Sequence, residues 1–403
     1  MKSIVICGAV RTAIGRMGGA MKNVPAEKLT EIVINETLAR AAEGGDVERL
    51  RASVDEVIIG QAKQSTDAPN IARVAALMAG LDYTIPAYTV HRQCGSGLQA
   101  ILSAAQQIES EYGEVIVAGG VESMSTAPYY LRNARYGYNA GNGELVDPNT
   151  ESQPKSQPED IYGHFTMGMT AENVAEKYGI SREEQDLFAY GSQQKAVAAI
   201  DGGIFSEEIT AVPLKVKKSV VDFTVDEFPR RDTSLEKMAL LPPVFKEGGT
   251  VTAGNASGRN DGAAAVVVTT EEKARELGLK PQVRLVAAGV GGVDPRLMGL
   301  GPVPASRKAL KRAGLGLKDM GAIEINEAFA AQTLGVMKEL NVDPAMVNFY
   351  GGGIALGHPL GCSGARISVT LFNAMRRHKA RYGLATLCIA GGLGLAAVYE
   401  NLS

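Results

Sequence analysis

The chain has 403 residues, of which 45% are hydrophobic and 21% are charged, with 47 glycines and a formal net charge of −3. This composition is typical of a soluble α/β protein, and the length suits two or three domains or one large duplicated unit. The slight negative charge argues against nucleic acid as the main partner. No stretch approaches the roughly 20 apolar residues that a membrane span needs, so we expect no membrane association and a cytoplasmic location.

Short runs rich in valine and isoleucine recur along the chain, with helical patterns between them. In chain order they are SIVICG, DEVIIG, GEVIVAGG, VRLVAAG, GAIEIN and LATLCIAGG. Such runs are typical of buried strands in a sheet that is covered on both faces. They predict an α/β fold.

The two ends of the chain resemble each other. In the first end, DEVIIG precedes CGSGLQA, and in the second, GAIEIN precedes GCSGARI at near-equal spacing. Each end of the chain then continues into a strand-like run that finishes in Gly-Gly. The pattern predicts an internal duplication of a βαβ-rich unit. We place the first half at residues 1–270 and the second at 271–403.

An insert at about residues 121–250 differs in character from the rest of the first half. Residues 133–160 are polar and rich in Gly, Pro and Asn, which predicts a long loop. Two helices are expected to follow, one over TAENVAEKYG and one that begins at Ser181 with a capping box to Glu184 and ends before Gly202. We interpret the insert as a lid or binding subdomain.

The segment HRQCGSGLQA, at residues 91–100, contains a candidate nucleophile. Cys94 follows a strand-like stretch and begins a helical pattern, where the positive end of the helix dipole favours a thiolate. The small residues 95–97 would leave backbone N–H groups open to a substrate oxygen. A buried structural cysteine is the alternative. His91 would lie about 10 Å away along an extended strand and on its opposite face, so we interpret it as a packing or hydrogen-bonding residue.

Three residues of the second half are candidates for acid–base chemistry. His358 lies in GGGIALGHPLGCSGARI, the counterpart of the Cys94 turn, and two such turns would meet near the pseudo-twofold axis; a loop histidine is the alternative. Cys388, at the end of a strand, is either a small hydrophobic residue or a second reactive thiol. Asn326 is interpreted as a helix N-cap, a role compatible with binding a water molecule.

Other ligand classes receive less support. The four cysteines show no CxxC spacing, and the chain has neither a metal-spaced Cys/His cluster nor a phosphate-binding GxxxxGK[ST] loop. For an anionic ligand the candidates are KVKK at 215–218, which we interpret as a solvated charge run, and Arg230-Arg231, for which both interpretations stay open.

Together these motifs resemble the thiolase family over nearly the whole chain, and most closely its acetyl-CoA C-acetyltransferases (acetoacetyl-CoA thiolases). The resemblance is carried by RTAIGRMGG, QCGSGLQA, GGVESMS, MGMTAENVA, GTVTAGNASGRNDGAAA, NEAFAA, GGGIALGHPLGCSGARI and LCIAGGLG. It implies two similar βαβαβαββ halves stacked in five α/β layers, with an inserted loop domain that binds coenzyme A. It also implies reversible condensation of two acetyl-CoA to acetoacetyl-CoA and coenzyme A, and a homotetramer built as a dimer of dimers. We expect no cofactor beyond these thioester substrates, and no metal.

The resemblance also implies roles for individual residues. Cys94 would take the acyl group as a thioester, His358 would activate Cys94, and Cys388 would move the α-proton of the second acetyl-CoA. Asn326 would hold a water that stabilises the enolate oxygen together with the histidine, and the backbone N–H groups of Cys94 and Ala390 would form a second oxyanion hole. The residues that would line the coenzyme A groove are Met167, Arg230 and Ser257.

The chain departs from the family pattern at four positions. His91 replaces a usual asparagine, and Ala390 replaces the glycine of the CxG motif. Thr166 stands where biosynthetic relatives often have histidine, and Lys237 where many have serine. Two alternatives follow: a 3-ketoacyl-CoA thiolase that acts on longer chains in β-oxidation, and a thiolase-like protein that binds acyl-CoA without turnover.

Overall fold

The structure, a computed structural model, describes residues 2–403. The strands are β1 (Ile4–Thr12), β2 (Gly15–Arg16), β3 (Glu56–Gly60), β4 (Ala87–Val90), β5 (Val115–Ser123), β6 (Tyr130–Leu131), β7 (Leu145–Val146), β8 (Ile209–Thr210), β9 (Val212–Val216), β10 (Ser219–Phe223), β11 (Asn260–Thr270), β12 (Val283–Gly292), β13 (Met320–Ile325), β14 (Tyr382–Ile389) and β15 (Leu393–Asn401). The α-helices are α1 (Ala26–Ala41), α2 (Val47–Ala52), α3 (Ile71–Met78), α4 (Ser96–Glu109), α5 (Pro148–Glu151), α6 (Glu159–Tyr162), α7 (Met167–Tyr178), α8 (Arg182–Asp201), α9 (Leu235–Ala239), α10 (Glu271–Glu276), α11 (Pro302–Ala313), α12 (Ala330–Leu340), α13 (Gly353–Leu356) and α14 (Leu360–Arg377).

The six valine- and isoleucine-rich runs all form strands, as predicted, and they belong to one sheet. The main path of the sheet runs β13-β14-β15-β12-β1-β11-β5-β3-β4. Its centre is the antiparallel pair β1–β12, where Val5 lies opposite Arg284. Strands β1, β5 and β11 are buried almost throughout, which explains why their sequences are nearly uninterrupted apolar runs.

The two sides of the sheet repeat the same arrangement. On one side β4, β3 and β5 are parallel, followed by antiparallel β11 and β1. On the other, β13 and β14 are parallel, followed by antiparallel β15 and β12. An isolated parallel bridge between Ile323 and Val347 takes the place of the β3–β4 pair. The strand order therefore repeats in the two halves, in agreement with the internal duplication that the sequence motifs indicated.

Helices cover both faces of each half. α1 packs on β1 and β11, while α11 packs on β12 and β15. Between the halves, α4 packs against α14, and each also contacts strands of the sheet. These two central helices are the elements that directly follow the candidate turns at Cys94 and His358.

The central helices approach each other closely because small residues face one another. A Cβ atom added at Gly97 of α4 would lie 2.8 Å from the backbone oxygen of Gly361 and 2.8 Å from the backbone nitrogen of Ala365, both on α14. A Cβ at Gly364 would collide in the same way with the backbone of Leu98. The contact is backbone on backbone, so any side chain there would push the helices apart.

The insert contains more regular structure than the sequence suggested. Residues 133–160 hold the short helix α5, the start of α6 and the strand β7 rather than a plain loop. α7 covers the predicted TAENVAEKYG segment, and α8 begins after Ser181 with the predicted capping box to Glu184. KVKK lies in the β9–β10 hairpin with its lysines exposed, as expected for a solvated charge run.

A buried ion-pair network ties this region to the core. The guanidinium of Arg11, on β1, donates to Glu208 at 2.6 Å and to both oxygens of Asp226 at 2.7 and 2.9 Å. All three side chains are buried, so each charge depends on its partners.

Within residues 2–403, no helix is both long and apolar enough to cross a membrane.

We expect Gly97→Ala to destabilise the protein by about 1–3 kcal/mol, because its methyl group would meet backbone atoms of α14. Gly191→Ala is the matched control: it lies inside α8, where an added Cβ has no neighbour within 4 Å. That change should stabilise the helix by about 1 kcal/mol. Denaturant unfolding followed by circular dichroism would measure both, and equal shifts in the two variants would refute the close-contact argument.

Candidate active site

Cys94 lies in a sharp turn between β4 and α4. Gln93, directly before it, has a left-handed backbone with φ of 46°, which is uncommon for a residue with a side chain. The hydroxyl of Ser96 holds the turn by accepting from the N–H of Arg92 at 2.8 Å and donating to the carbonyl of Gln93 at 2.7 Å. Unusual backbone conformations that surrounding hydrogen bonds hold in place are common at functional sites.

The Cys94 thiol is half-buried, and its surroundings act on its acidity in opposite directions. Burial raises the pKa to about 11. The backbone N–H groups of Ala390 and of Cys94 itself, together with the ammonium of Lys63, oppose this rise. At neutral pH the resting sulfur is therefore a thiol that needs a base.

His358 lies two residues before α14, and its imidazole is held in one orientation. Nδ1 lies 2.5 Å from the hydroxyl of Ser363, which in turn donates to the carbonyl of Pro359 at 2.8 Å. Because that hydroxyl uses its hydrogen on Pro359, Nδ1 carries the proton and Nε2 is left unprotonated, as an acceptor. Burial and the charge of Arg366 lower the His358 pKa to about 3, so the ring is neutral.

Asn326 lies directly after β13, and its amide faces the same imidazole. Its Nδ2 is 3.5 Å from Nε2 of His358, while its Oδ1 is buried and has no partner among residues 2–403. The N-cap interpretation of Asn326 was wrong. α12 begins at Ala330, with Phe329 at the cap position, because Asn326 continues β13 through an N–H bond to the carbonyl of Thr386 at 3.0 Å.

Cys388 lies at the end of β14, on the half of the sheet that carries His358. Its side chain is buried, and burial, with a further contribution from the neighbouring Cys94, raises its pKa well above the ordinary range. It therefore rests as a neutral thiol. A proton taken by this sulfur would return it to its favoured state.

Three of the predicted residues share one cavity of about 190 Å³: Cys94, His358 and Cys388. Met167 and Ser257, predicted for the coenzyme A groove, line the same cavity. Asn326 reaches it through its contact with His358. The apolar side chains that line the cavity are those of Met124, Met167, Phe245, Met298, Phe329 and Leu360.

Arg230 does not lie in this cavity. It lines a neighbouring one of about 140 Å³ with Lys237, and its guanidinium stacks over the ring of Phe228 at 5.7 Å. Its neighbour Arg231 pairs with Asp201 at 2.7 Å. Lys237 pairs at 3.4 Å with Asp232, which lines the same cavity, so Arg230 is the cation that would suit an anionic group there.

The expected extended strand through His91 and Cys94 was wrong, because β4 ends at Val90 and a turn follows, yet His91 still does not line the cavity of Cys94. The histidine is exposed and lines a third cavity with Arg132 and Lys155 instead of the cavity of the thiols. The sequence analysis missed Lys63, which lines the thiol cavity, and Ser363, which orients His358. The duplication offered a signal for Ser363, because it aligns with Ser96, the residue that orders the other turn.

Within residues 2–403, no group of three or more His, Cys, Asp or Glu side chains could hold a metal ion. The site therefore consists of two thiols, one neutral imidazole, one amide and backbone donors. This set can form a thioester, stabilise an oxyanion and transfer protons.

Comparison with known proteins agrees with this arrangement. Models of the thiolase N-terminal and C-terminal domains match residues 4–272 and 279–401. The acetyl-CoA acetyltransferase of Escherichia coli (strain K12) is 48% identical, covering 100% of both chains. The solved acetyl-CoA acetyltransferase of Bacillus anthracis has a TM-score of 0.95 and 48% identity, covering 100% of this chain and 99% of that one. Human mitochondrial 3-ketoacyl-CoA thiolase has a TM-score of 0.93 and 42% identity, covering 99% of each chain. These matches confirm the predicted thiolase fold, and the chain belongs to the thiolase family.

Proposed function

We propose that this enzyme is an acetyl-CoA C-acetyltransferase, which condenses two acetyl-CoA to acetoacetyl-CoA and coenzyme A and also runs in reverse. Full-length relatives that carry the name acetyl-CoA acetyltransferase support the proposal. The observation that carries it is the shared cavity of Cys94, His358 and Cys388, which come from distant parts of the chain.

In the first half-reaction, Nε2 of His358 takes the proton of Cys94, and the sulfur attacks the thioester carbon of acetyl-CoA. A new S–C bond forms, the bond to the sulfur of coenzyme A breaks, and that sulfur leaves with the proton from His358. The unprotonated Nε2 and the raised thiol pKa support a base that acts as the attack begins.

In the second half-reaction, the Cys388 thiol gives its proton to Nε2 of His358, and the thiolate so formed removes an α-proton from the second acetyl-CoA. The resulting enolate carbon attacks the acetyl group on Cys94. The bond to Cys94 then breaks to release acetoacetyl-CoA, and the Cys94 sulfur takes back the proton from His358. Asn326, whose Oδ1 is buried without a partner, would hold a water that stabilises the enolate oxygen together with His358. Each donor of this kind contributes about 3–4 kcal/mol in other enzymes.

For the acyl transfer itself, we assign the second oxyanion hole to the backbone N–H groups of Cys94 and Ala390, which oppose the rise in the pKa of the Cys94 thiol. The methyl group of Ala390 does not remove its N–H, so this departure from the family leaves the donor in place. We assign coenzyme A to Met167 and Ser257 near the thiols, with Arg230 at an outer phosphate or nucleotide end.

The alternative substrate is a longer 3-ketoacyl-CoA. The likeness to human mitochondrial 3-ketoacyl-CoA thiolase and the apolar wall of Met167, Met298 and Phe329 favour it. Comparing kcat/KM for thiolytic cleavage of acetoacetyl-CoA with that of a six- and an eight-carbon 3-ketoacyl-CoA separates the two. A constant or rising value with chain length would contradict an acetyl-specific enzyme.

We also propose a cytoplasmic homotetramer that needs no cofactor or metal beyond its thioester substrates. The exposed aromatic side chains of Tyr129, Tyr130 and Tyr136 in the insert and the free edge of β4 support further subunit contacts. Light scattering of the purified protein would measure the mass of the assembly.

We expect Cys94→Ala to abolish the coenzyme A-dependent loss of acetoacetyl-CoA absorbance, lowering kcat by at least about a thousandfold, because no acyl carrier remains. Cys7→Ala is the control, since Cys7 is buried in β1 and does not line the cavity. If wild type and Cys94→Ala are equally inactive while acyl-CoA still binds, the protein is a non-catalytic acyl-CoA-binding member of the family.

We expect the Cys388→Ser variant to retain acetylation of Cys94 but lose condensation. Only the second half-reaction needs a base at position 388, and the serine hydroxyl ionises far less readily than the cysteine thiol. Intact-protein mass spectrometry after mixing with acetyl-CoA would detect the acetyl group, and a coupled assay would follow product. Absence of the acetyl adduct in this variant would contradict the separate roles of the two thiols.

A further inference from the structure

Lys63 is a buried cation in the wall of the thiol cavity. It follows β3 after two residues, its side chain is 7% exposed, and it lines the cavity with Cys94, His358 and Cys388. Its ammonium donates to the hydroxyl of Ser152. Within residues 2–403 it forms no ion pair within 4.0 Å.

The carboxylates around Lys63 are engaged elsewhere. Glu122 accepts the N–H groups of Ala62, Lys63 and Gly361, and burial raises its pKa to about 7, so its attraction offsets the burial of the Lys63 ammonium only in part. Asp147 pairs with Arg259 at 3.7 Å and caps α5. Burial lowers the pKa of Lys63, as expected for an ammonium whose charge is only partly balanced.

The lining of the cavity includes both polar and apolar side chains. Its polar residues include Lys63 and, from the segment of α5 and the turn after it, Asn149, Ser152 and Ser156. The cations Lys63 and Arg259 both line the cavity, whereas no Asp or Glu does so in the part of the chain that the structure describes. An anionic group in this cavity would therefore meet a positive wall.

We propose that Lys63 binds a carboxylate at the far end of the acyl group, so that the enzyme favours 3-ketodicarboxylyl-CoA thioesters over neutral ones of equal length. This inference rests on the proposed thiolase chemistry at Cys94 and names the substrate class that the site takes beyond the acetyl group.

The preference follows from what each acyl chain offers to the ammonium. A neutral alkyl chain would displace the remaining water around Lys63 and leave the charge without a partner, which is unfavourable in a buried site. A carboxylate would instead form a charge-assisted hydrogen bond, and such bonds contribute enough for roughly a tenfold or greater preference. A site built to pair with a polar group rejects the analogue that lacks it.

The test compares two substrates of the same chain length on the full-length protein: 3-ketoadipyl-CoA, which ends in a carboxylate, and 3-ketohexanoyl-CoA, which ends in a methyl group. We expect wild type to show at least about a tenfold higher kcat/KM for the first. Lys63→Met, similar in length but uncharged, should reduce that ratio at least about tenfold. Lys155→Met is the matched control, because Lys155 is exposed, pairs with Glu159 and does not line the thiol cavity; its ratio should equal that of wild type.

Each outcome decides the question. A wild-type ratio near or below one overturns the proposal, whether or not Lys63→Met folds. An equal fall in activity towards both substrates in Lys63→Met, with the ratio unchanged, overturns it as well and assigns Lys63 to the Cys94 thiolate. Cleavage of acetoacetyl-CoA that depends on Cys94 is measured in parallel, so failure of this inference is distinguishable from failure of the thiolase chemistry.

Discussion

The backbone contact between α4 and α14 is the constraint on which the site depends. Each helix directly follows a turn that carries a reactive side chain, Cys94 on one and His358 on the other. Because Gly97 and Gly364 let the helices touch without intervening side chains, both helix N-termini reach the same cavity. The positive ends of two helix dipoles then meet beside Lys63, so the region favours negative charge on a sulfur or oxygen.

The resting site nevertheless carries little charge of its own. Burial keeps both thiols protonated and His358 neutral, and the histidine is fixed in one tautomer by Ser363. The helix N-termini and Lys63 make the cavity positive, while the thiols and the imidazole are neutral until the reaction begins. The donors are already oriented, so negative charge that forms during the reaction meets them without rearrangement.

Much of this arrangement was predictable from the sequence. The strands were visible because each is a short apolar run, and the duplication was visible because the same motifs recur in the same order. The duplication also indicated His358, rather than the nearby His91, as the partner of Cys94. The exact limits of the two halves and of the insert, and the role of each site residue, stay predictions.

Other features depend on contacts that a single sequence does not reveal. Asn326 looked like an N-cap because a helical pattern follows it, yet the helix starts only at Ala330. Lys63 looked like any charged residue after a strand, and only the fold shows it buried beside a thiol. Arg230 and Met167 were grouped together, but they lie in neighbouring cavities.

The high pKa of Cys94 also bears on how the protein withstands oxidants. Peroxides and disulfides react with the thiolate, and burial raises the pKa of Cys94 to about 11, so the resting sulfur is a thiol at pH 7. The sulfur therefore gains its reactivity when an acyl donor is in place, and the idle enzyme is shielded from oxidative damage by the same burial that makes it depend on His358.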